Sequence, residues 1–456
     1  MNNEQQQKFV QSIYDGIFSG LTEAPPGEKP IYDRKKVFMT FEKGGRRLNS
    51  ADYKDPWSPG NSSGSKTATI NFARLANEAP VLQPMHTVSG VRISDVYRTI
   101  LNAQITPKPV DPKAQKEYDE ALKVLTTETK DEETGELDRV KSKLVRDYEA
   151  NLTAYSLTLA KYYQAYFEAM STPAGRASWP LVGSAARTPV EIAYNAWRSG
   201  EATKVEDAQA TIEFSSRNQV GKAFAVAKQM FDTYDREAKE LEVGNVDLRS
   251  RAMPSDWASS TAARDWPTRS FSSSSVVVKQ DSDFSRVGGG ASFSFGIFSI
   301  GGSGSTSSSR ESRSVEASNL SVSFKYSLVT FDRPWLTQLL LDLPGWNLGQ
   351  IPPGKFSNGT RNNNVGSLPL IPQAFIVTRD LTVKANWSKN DIEIIKKATS
   401  GSASVGIGPF SIGGGGGSSS SSSTTKFNAA TGEILVPSLQ IIGWINTIVP
   451  FCPPSA

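Results

Sequence analysis

One histidine, His86, and one cysteine, Cys452, are all the imidazole and thiol that 456 residues contain. No intrachain disulfide can form from one cysteine. A structural zinc site wants about four Cys or His ligands, and this chain offers two, far apart in sequence. A Ser-His-Asp or Cys-His arrangement would rest on His86 alone. That residue lies in a loop-like stretch, "QPMHTVSG", with no nucleophile or carboxylate beside it in sequence. Phosphate-binding signatures are missing too. The glycine runs lack the Lys-Ser/Thr ending of a P-loop, and no GxGxxG opens a helix after a strand. The reading is of a non-enzyme with no catalytic, cofactor-binding or metal-ligating residues and no cofactor. Carboxylate-only chemistry stays open, because separation in sequence does not report separation in space. Asp332, next to Arg333, is read as one half of an ion pair with that arginine.

Charge of one sign is also scarce. Fifty basic residues oppose 46 acidic ones, a net +4, and the basic excess falls in residues 270–456 without clustering. Scattered cations make a poor phosphate-tracking groove, so no nucleic-acid partner is expected. The first twenty residues lack the basic start and unbroken apolar run of a signal peptide. The expectation is a cytoplasmic product as synthesised, with release by a route that needs no signal peptide left open.

What the chain does have is pattern. Residues 1–110 form a mixed, turn-rich region entered by an amphipathic helix. Its stripe is Phe9, Val10, Ile13, Tyr14, Ile17, Phe18 and Leu21, spaced to dock one face on a core. Ser94 and Asp95 are placed to cap a short helix carrying Val96, Tyr97, Ile100 and Leu101.

Residues 111–245 read as a long-helix hairpin or bundle. One stripe runs from Leu137 through Val140, Leu144, Tyr148, Leu152, Tyr155, Leu159, Tyr162 and Tyr166 to Met170, in steps of three and four. "KDEETGE" is the tip separating it from the preceding element. Thr188-Pro189-Val190-Glu191 combines an N-cap, a first-turn proline and a capping-box glutamate, so a short helix is expected to start there and end near Gly200. A second stripe runs from Val205 to Leu241, broken near Ser215 and Ser216.

Residues 255–456 change to antiparallel β. Residues 270–456 alone hold 36 serines and 22 of the chain's 36 glycines. Leu320, Val322, Phe324, Tyr326 and Leu328 alternate with polar residues; Phe375, Val377, Leu381, Val383, Ala385 and Trp387 alternate with Ile376, Thr378, Asp380, Thr382, Lys384 and Asn386, with Arg379 as the exception. Trp257, Trp266 and the tail "LQIIGWINTIVPF" read as core.

The most informative feature is an internal repeat. "ASFSFGIFSIGGSGST" (291–306) recurs as "ASVGIGPFSIGGGGGS" (403–418), each copy followed by a serine-rich run. Phe293, Phe295 and Ile297 alternate with serine and glycine; Phe298 then shifts the phase before Ile300, and Phe410 and Ile412 answer in the second copy. Apolar residues on one face and small polar ones on the other suit a membrane-inserting hairpin, with lipid on one side and water on the other. The same pattern suits a hairpin packed in a sandwich. The fold class expected is α+β: a long-helix bundle or coiled-coil arm followed by an antiparallel β-rich domain with two related Gly/Ser-rich hairpins. The function expected is that of a self-assembling, membrane-active (pore-forming-like) protein. Its partners would be other copies of itself and a lipid membrane, with Phe293, Phe295, Ile297, Phe298, Ile300, Phe410 and Ile412 as inserting candidates. The alternative is a structural or interaction protein of an ordered assembly that never meets lipid.

Overall fold

A computed structural model describes residues 2–25, 28–105, 112–130, 137–216, 220–241, 247–274, 276, 298–301, 311–313, 316–401, 404–413 and 425–455. It is a mixture of helix and strand built on a large antiparallel sheet. The helices are α1 (Asn3–Thr22), α2 (Lys66–Asn77), α3 (Ile93–Leu101), α4 (Pro112–Leu125), α5 (Lys143–Ser171), α6 (Pro173–Ser199), α7 (Ala202–Ser216), α8 (Val220–Leu241) and α9 (Lys389–Thr399). The strands that matter below are β1 (Val37–Arg47), β2 (Thr126–Lys130), β3 (Leu137–Lys141), β4 (Arg251–Met253), β5 (Thr268–Ser272), β6 (Phe298–Gly301) and β7 (Glu311–Arg313). They continue as β8 (Ser318–Asp332), β9 (Leu370–Asn386), β10 (Ser404–Ile407), β11 (Phe410–Gly413), β12 (Lys426–Asn428), β13 (Glu433–Val436) and β14 (Gln440–Ile448).

Among the described residues the large sheet has the order β1-β14-β9-β8-β4, with β5 beside β8 and β13-β12 beside β9. Strands from all three thirds of the chain therefore share it. Helix α1 opens on a capping box, in which Asn2 and Gln5 each accept the other's backbone N–H. Its whole expected stripe, Phe9 to Leu21, is buried against one face of the sheet. The other face carries Phe375, Val377, Ile441 and Trp444 against α2 and Trp257. Trp257 and Trp266 are both buried, as the sequence suggested.

β8 keeps the predicted alternation, with Leu320, Val322 and Phe324 almost wholly buried. β9 does not. Its register against β8 slips between Ser323 and Lys325, where β9 holds one extra residue, and Asp380 sits at φ 51°. This bulge turns the strand over. Phe375 and Val377 face the α2 side, whereas Leu381, Val383 and Ala385 face α1. The single face expected for these five residues is corrected to two.

Three local expectations also change. Leu137–Lys141 is strand β3, paired with β2, so the helix starts only at Lys143, after the Ser142 cap. Helix α6 begins at Pro173 rather than at Thr188. Thr172 caps it by accepting the Gly175 N–H, while the Thr188 hydroxyl donates to the Ser184 carbonyl in the helix interior. Pro180 and Pro189 are both exposed, so the carbonyls they leave unpaired face water. Helix α3 is where the apolar spacing placed it, but Asn77 rather than Ser94 or Asp95 serves its first turn, accepting from the Ser94 N–H at 2.9 Å.

α5 and α6 form an antiparallel hairpin sealed by rings: Tyr155 stacks on Trp197 at 5.5 Å, and Tyr162 and Tyr166 meet Trp179. The second stripe divides into α7 and α8 at its serine break. Among the described residues no helix is long and apolar enough to cross a membrane.

Candidate functional site: the sheet that joins the two repeat copies

The two FSIG copies are brought together. β6 and β11 both pair antiparallel with β10, one on each side of it, and β7 adds a fourth strand beyond β6. Phe298 and Phe410 both face Ile407 in register. Two strands antiparallel to a common neighbour run parallel to each other, about 10 Å apart at normal strand spacing. Gly301 lies opposite Ser404 and Gly413 opposite Val405, so the two copies finish level with each other. The serine-rich segments that follow them in sequence therefore depart from one end of one small sheet.

The second copy holds its own tight turn. Ile407 and Phe410 pair across Gly408-Pro409, with Gly408 at φ 54°. The second copy is thus two four-residue strands. Each is shorter than the 9–11 residues a membrane-crossing strand needs.

The sheet is amphipathic and buried on both faces. Phe298, Val405, Ile407, Phe410 and Ile412 are wholly buried in the α1 core, with Ile300 partly buried beside them. Phe410 meets Phe324 at 4.8 Å, and Phe298 stacks on Trp387. Of the seven inserting candidates, Phe298, Ile300, Phe410 and Ile412 thus lie in or against the core. Phe293, Phe295 and Ile297 lie outside the described residues.

The opposite face is Ser299, Ser404, Gly406 and Ser411, covered by the β1 bulge at Gly44 and Gly45. The Gly44 N–H donates to the Gly408 carbonyl at 2.9 Å. A Cβ at Gly406 would overlap Gly44 Cα, and one at Gly45 would crowd the Ser411 nitrogen. Only small residues fit this contact. Yet the hydroxyls of Ser299, Ser404 and Ser411 are buried and make no hydrogen bond within the described residues. An unpaired buried hydroxyl costs about 1–3 kcal/mol. Alanine would fit the same space without that cost.

Both singletons are buried. His86 is 3% exposed, stacked on Trp444 at 4.6 Å, with Nδ1 3.0 Å from the Thr40 hydroxyl. Burial pushes its pKa down to about 4, against the pull of Glu42. Burial pushes the Cys452 thiol up to about 12. Among the described residues no group of three His, Cys, Asp or Glu could hold a metal ion.

One carboxylate pair does exist, between the helices and the sheet. Lys141 donates to Glu149 at 2.7 Å and to Asp332 at 2.8 Å, and Arg251 donates to Asp332 at 2.8 Å. Burial raises the Asp332 carboxyl, but Lys141 and Arg251 outweigh it and hold the group below the usual range. Burial wins at Glu149 and raises it despite Lys141. The ion pair expected between Asp332 and Arg333 is corrected: the Arg333 guanidinium donates instead to the Ala76 and Pro372 carbonyls.

The outer face of α6 went unnoticed in the sequence. Ala174, Ala177, Leu181, Ala185, Thr188, Ile192, Asn195 and Ser199 follow three/four spacing, all exposed and none charged. Leu181 is 82% and Ile192 64% exposed. The signal was in the spacing and was hidden by starting the helix at Thr188.

No family model matches the chain, and neither the curated proteins nor the solved structures include a similar one.

Proposed function

We propose that this is a non-enzymatic, self-assembling, membrane-active protein whose glycine/serine segments meet the bilayer. The observation that carries the reading is the joint anchorage of the two repeat copies on β10, which sends both serine-rich segments off from the same end of one sheet. Hairpins that insert as a unit need such a common base, because strands in a bilayer must pair with each other. The unpaired serine hydroxyls support it. A face that costs stability in the packed state is suited to water in another state. In this mechanism Phe293, Phe295 and Ile297 face lipid in the first hairpin. Phe298, Ile300, Phe410 and Ile412 anchor the base and follow when it opens. The α5–α6 hairpin acts as the coiled-coil-like arm between subunits, through the uncharged outer stripe of α6.

A second reading has its own support. Phe298, Phe410 and Ile412 are wholly buried, and drawing them out of the core is costly. A structural or interaction protein, its serine-rich segments decorating an assembly, leaves them where they are.

Dye release from liposomes decides between the two. Protein at micromolar concentration is expected to release dye. Phe293→Asp with Phe295→Asp is expected to abolish release with the melting temperature unchanged. No release from the wild type, even after proteolytic nicking, removes the membrane reading. Ordered polymers seen by electron microscopy without lipid then favour the scaffold.

A further inference from the structure

Three cavities of about 600, 660 and 630 Å³ converge where the helices meet the sheet, around Lys141, Glu149, Asp332 and Arg251. The first lies between α2, α5 and β4. Its inner wall is apolar, with Phe72, Leu157, Met253 and Trp257 among the lining residues. Trp257 is fixed in place by Tyr53 at 5.3 Å and Phe375 at 5.1 Å, so the wall exists before any ligand arrives.

The polar groups here are unequal. Glu149 and Asp332 are already engaged by Lys141 and Arg251, and Arg249 by Glu237. Arg146 differs. It is half-buried, its Nη1 donates to the Lys141 carbonyl, and among the described residues it forms no ion pair. Together with the half-buried Trp57 it lines both this cavity and the 630 Å³ one, at the seam between them. A polyhydroxylated ligand would need several uncommitted carboxylates or amides; Asp256, exposed at the mouth, is the one carboxylate of the lining without a partner among the described residues, and the wall is mostly carbon. A preformed apolar slot with a cation free of carboxylate at its rim fits a different chemistry.

We propose that this cavity binds a single-chain anionic amphiphile, an alkyl carboxylate or phosphate, with the chain against Phe72, Leu157, Met253 and Trp257 and the head group on Arg146. Charge-assisted bonds from guanidinium to carboxylate or phosphate are the strong ones, and the chain contributes by area removed from water. The site is separate from the repeat sheet, so its standing does not depend on whether the serine-rich segments enter lipid.

The test uses the full chain and dodecanoate below its micelle concentration, followed by titration calorimetry and tryptophan fluorescence. One saturable site is expected. Arg146→Gln is expected to weaken dodecanoate about tenfold, the worth of one charge-assisted bond, and to leave dodecanol unchanged. Ala154 is exposed on α5 and lines the slot, so Ala154→Trp is expected to remove binding of both ligands while the melting temperature holds. Competition by phosphatidylglycerol vesicles assigns the ligand to membrane lipid, and its absence to a free amphiphile; either supports the site. The proposal is overturned if the wild type shows no saturable uptake, if neither variant changes it, or if dodecyltrimethylammonium binds as tightly as dodecanoate.

Discussion

The repeat sheet and helix α6 are both amphipathic, and they treat their apolar faces in opposite ways. Phe298, Phe410 and Ile412 are wholly covered, whereas Leu181 and Ile192 stand 82% and 64% exposed. Patterning alone does not separate them. The sheet's cover comes from α1, nearly 300 residues before β6 and nearly 400 before β11 in sequence. The inner side of α6 is filled by rings from α5, which leaves its outer stripe of alanine, leucine and isoleucine with no partner among the described residues. A stripe reports that a face wants cover. It does not report whether the chain supplies that cover or another molecule does.

The largest test of that contrast is a matched pair of substitutions. Phe410→Asp places a carboxylate in the α1 core and is expected to cost about 4 kcal/mol or more in urea unfolding. Ile192→Asp, on the open stripe, is expected to stay within about 0.5 kcal/mol of wild type, as exposed substitutions do. If α6 holds subunits together, Ile192→Asp also shifts the sedimentation profile to smaller species. Equal destabilisation by the two would mean that the α6 stripe is covered within the chain, and the comparison would fail.

How much of this was legible depends on what each residue's partner is. The α1 stripe and the β8 alternation could be read because each element docks one face on a continuous core, so local period and burial coincide. The turn in β9 could not, since its cause is one extra residue at Asp380 that only the register against β8 reveals. Thr172-Pro173 and Thr188-Pro189 offer the same potential N-cap followed by a first-turn proline. Only the first is a cap, because the rings of α5 hold Trp179 in a helix that must begin before it. Leu137 and Val140 looked helical by spacing, but pairing with Lys130 and Thr127 makes them strand. The repeat was visible as a duplication, while the pairing of both copies with one strand was not. That pairing is a long-range contact spanning about a hundred residues.

A middle-sized effect concerns the layer over the serine face. His86 donates its backbone N–H to Phe41 of β1, the strand whose Gly44–Gly45 bulge covers Ser411. With its pKa pushed down to about 4 by burial, the folded state keeps the imidazole neutral where the unfolded chain, at about 6.5, takes a proton. The His86 contribution is fully present above about pH 6.5 and is lost as pH falls toward 4, about 3 kcal/mol in all. Urea unfolding at pH 7.5, 5.5 and 4 is expected to show that loss in the wild type and a shallower one in His86→Gln. Parallel slopes in the two proteins would show that the cover over the serine face does not respond to this residue.

The smallest effect is the most discriminating. Ser299, Ser404 and Ser411 are expected to give proteins about 1 kcal/mol more stable when each is changed to alanine, because a buried hydroxyl without a partner is removed and little volume is lost. A scaffold that keeps this sheet closed gains from the change and works as well as before. A protein that opens the sheet, and needs the face to meet water, becomes more stable and less active together. The triple alanine variant, assayed for melting temperature and for dye release side by side, separates these outcomes. A higher melting temperature with undiminished release would detach the serine face from function. A lower melting temperature would mean that the hydroxyls stabilise the packed state, and the contrast between a costly covered face and a bare exposed one would rest on α6 alone.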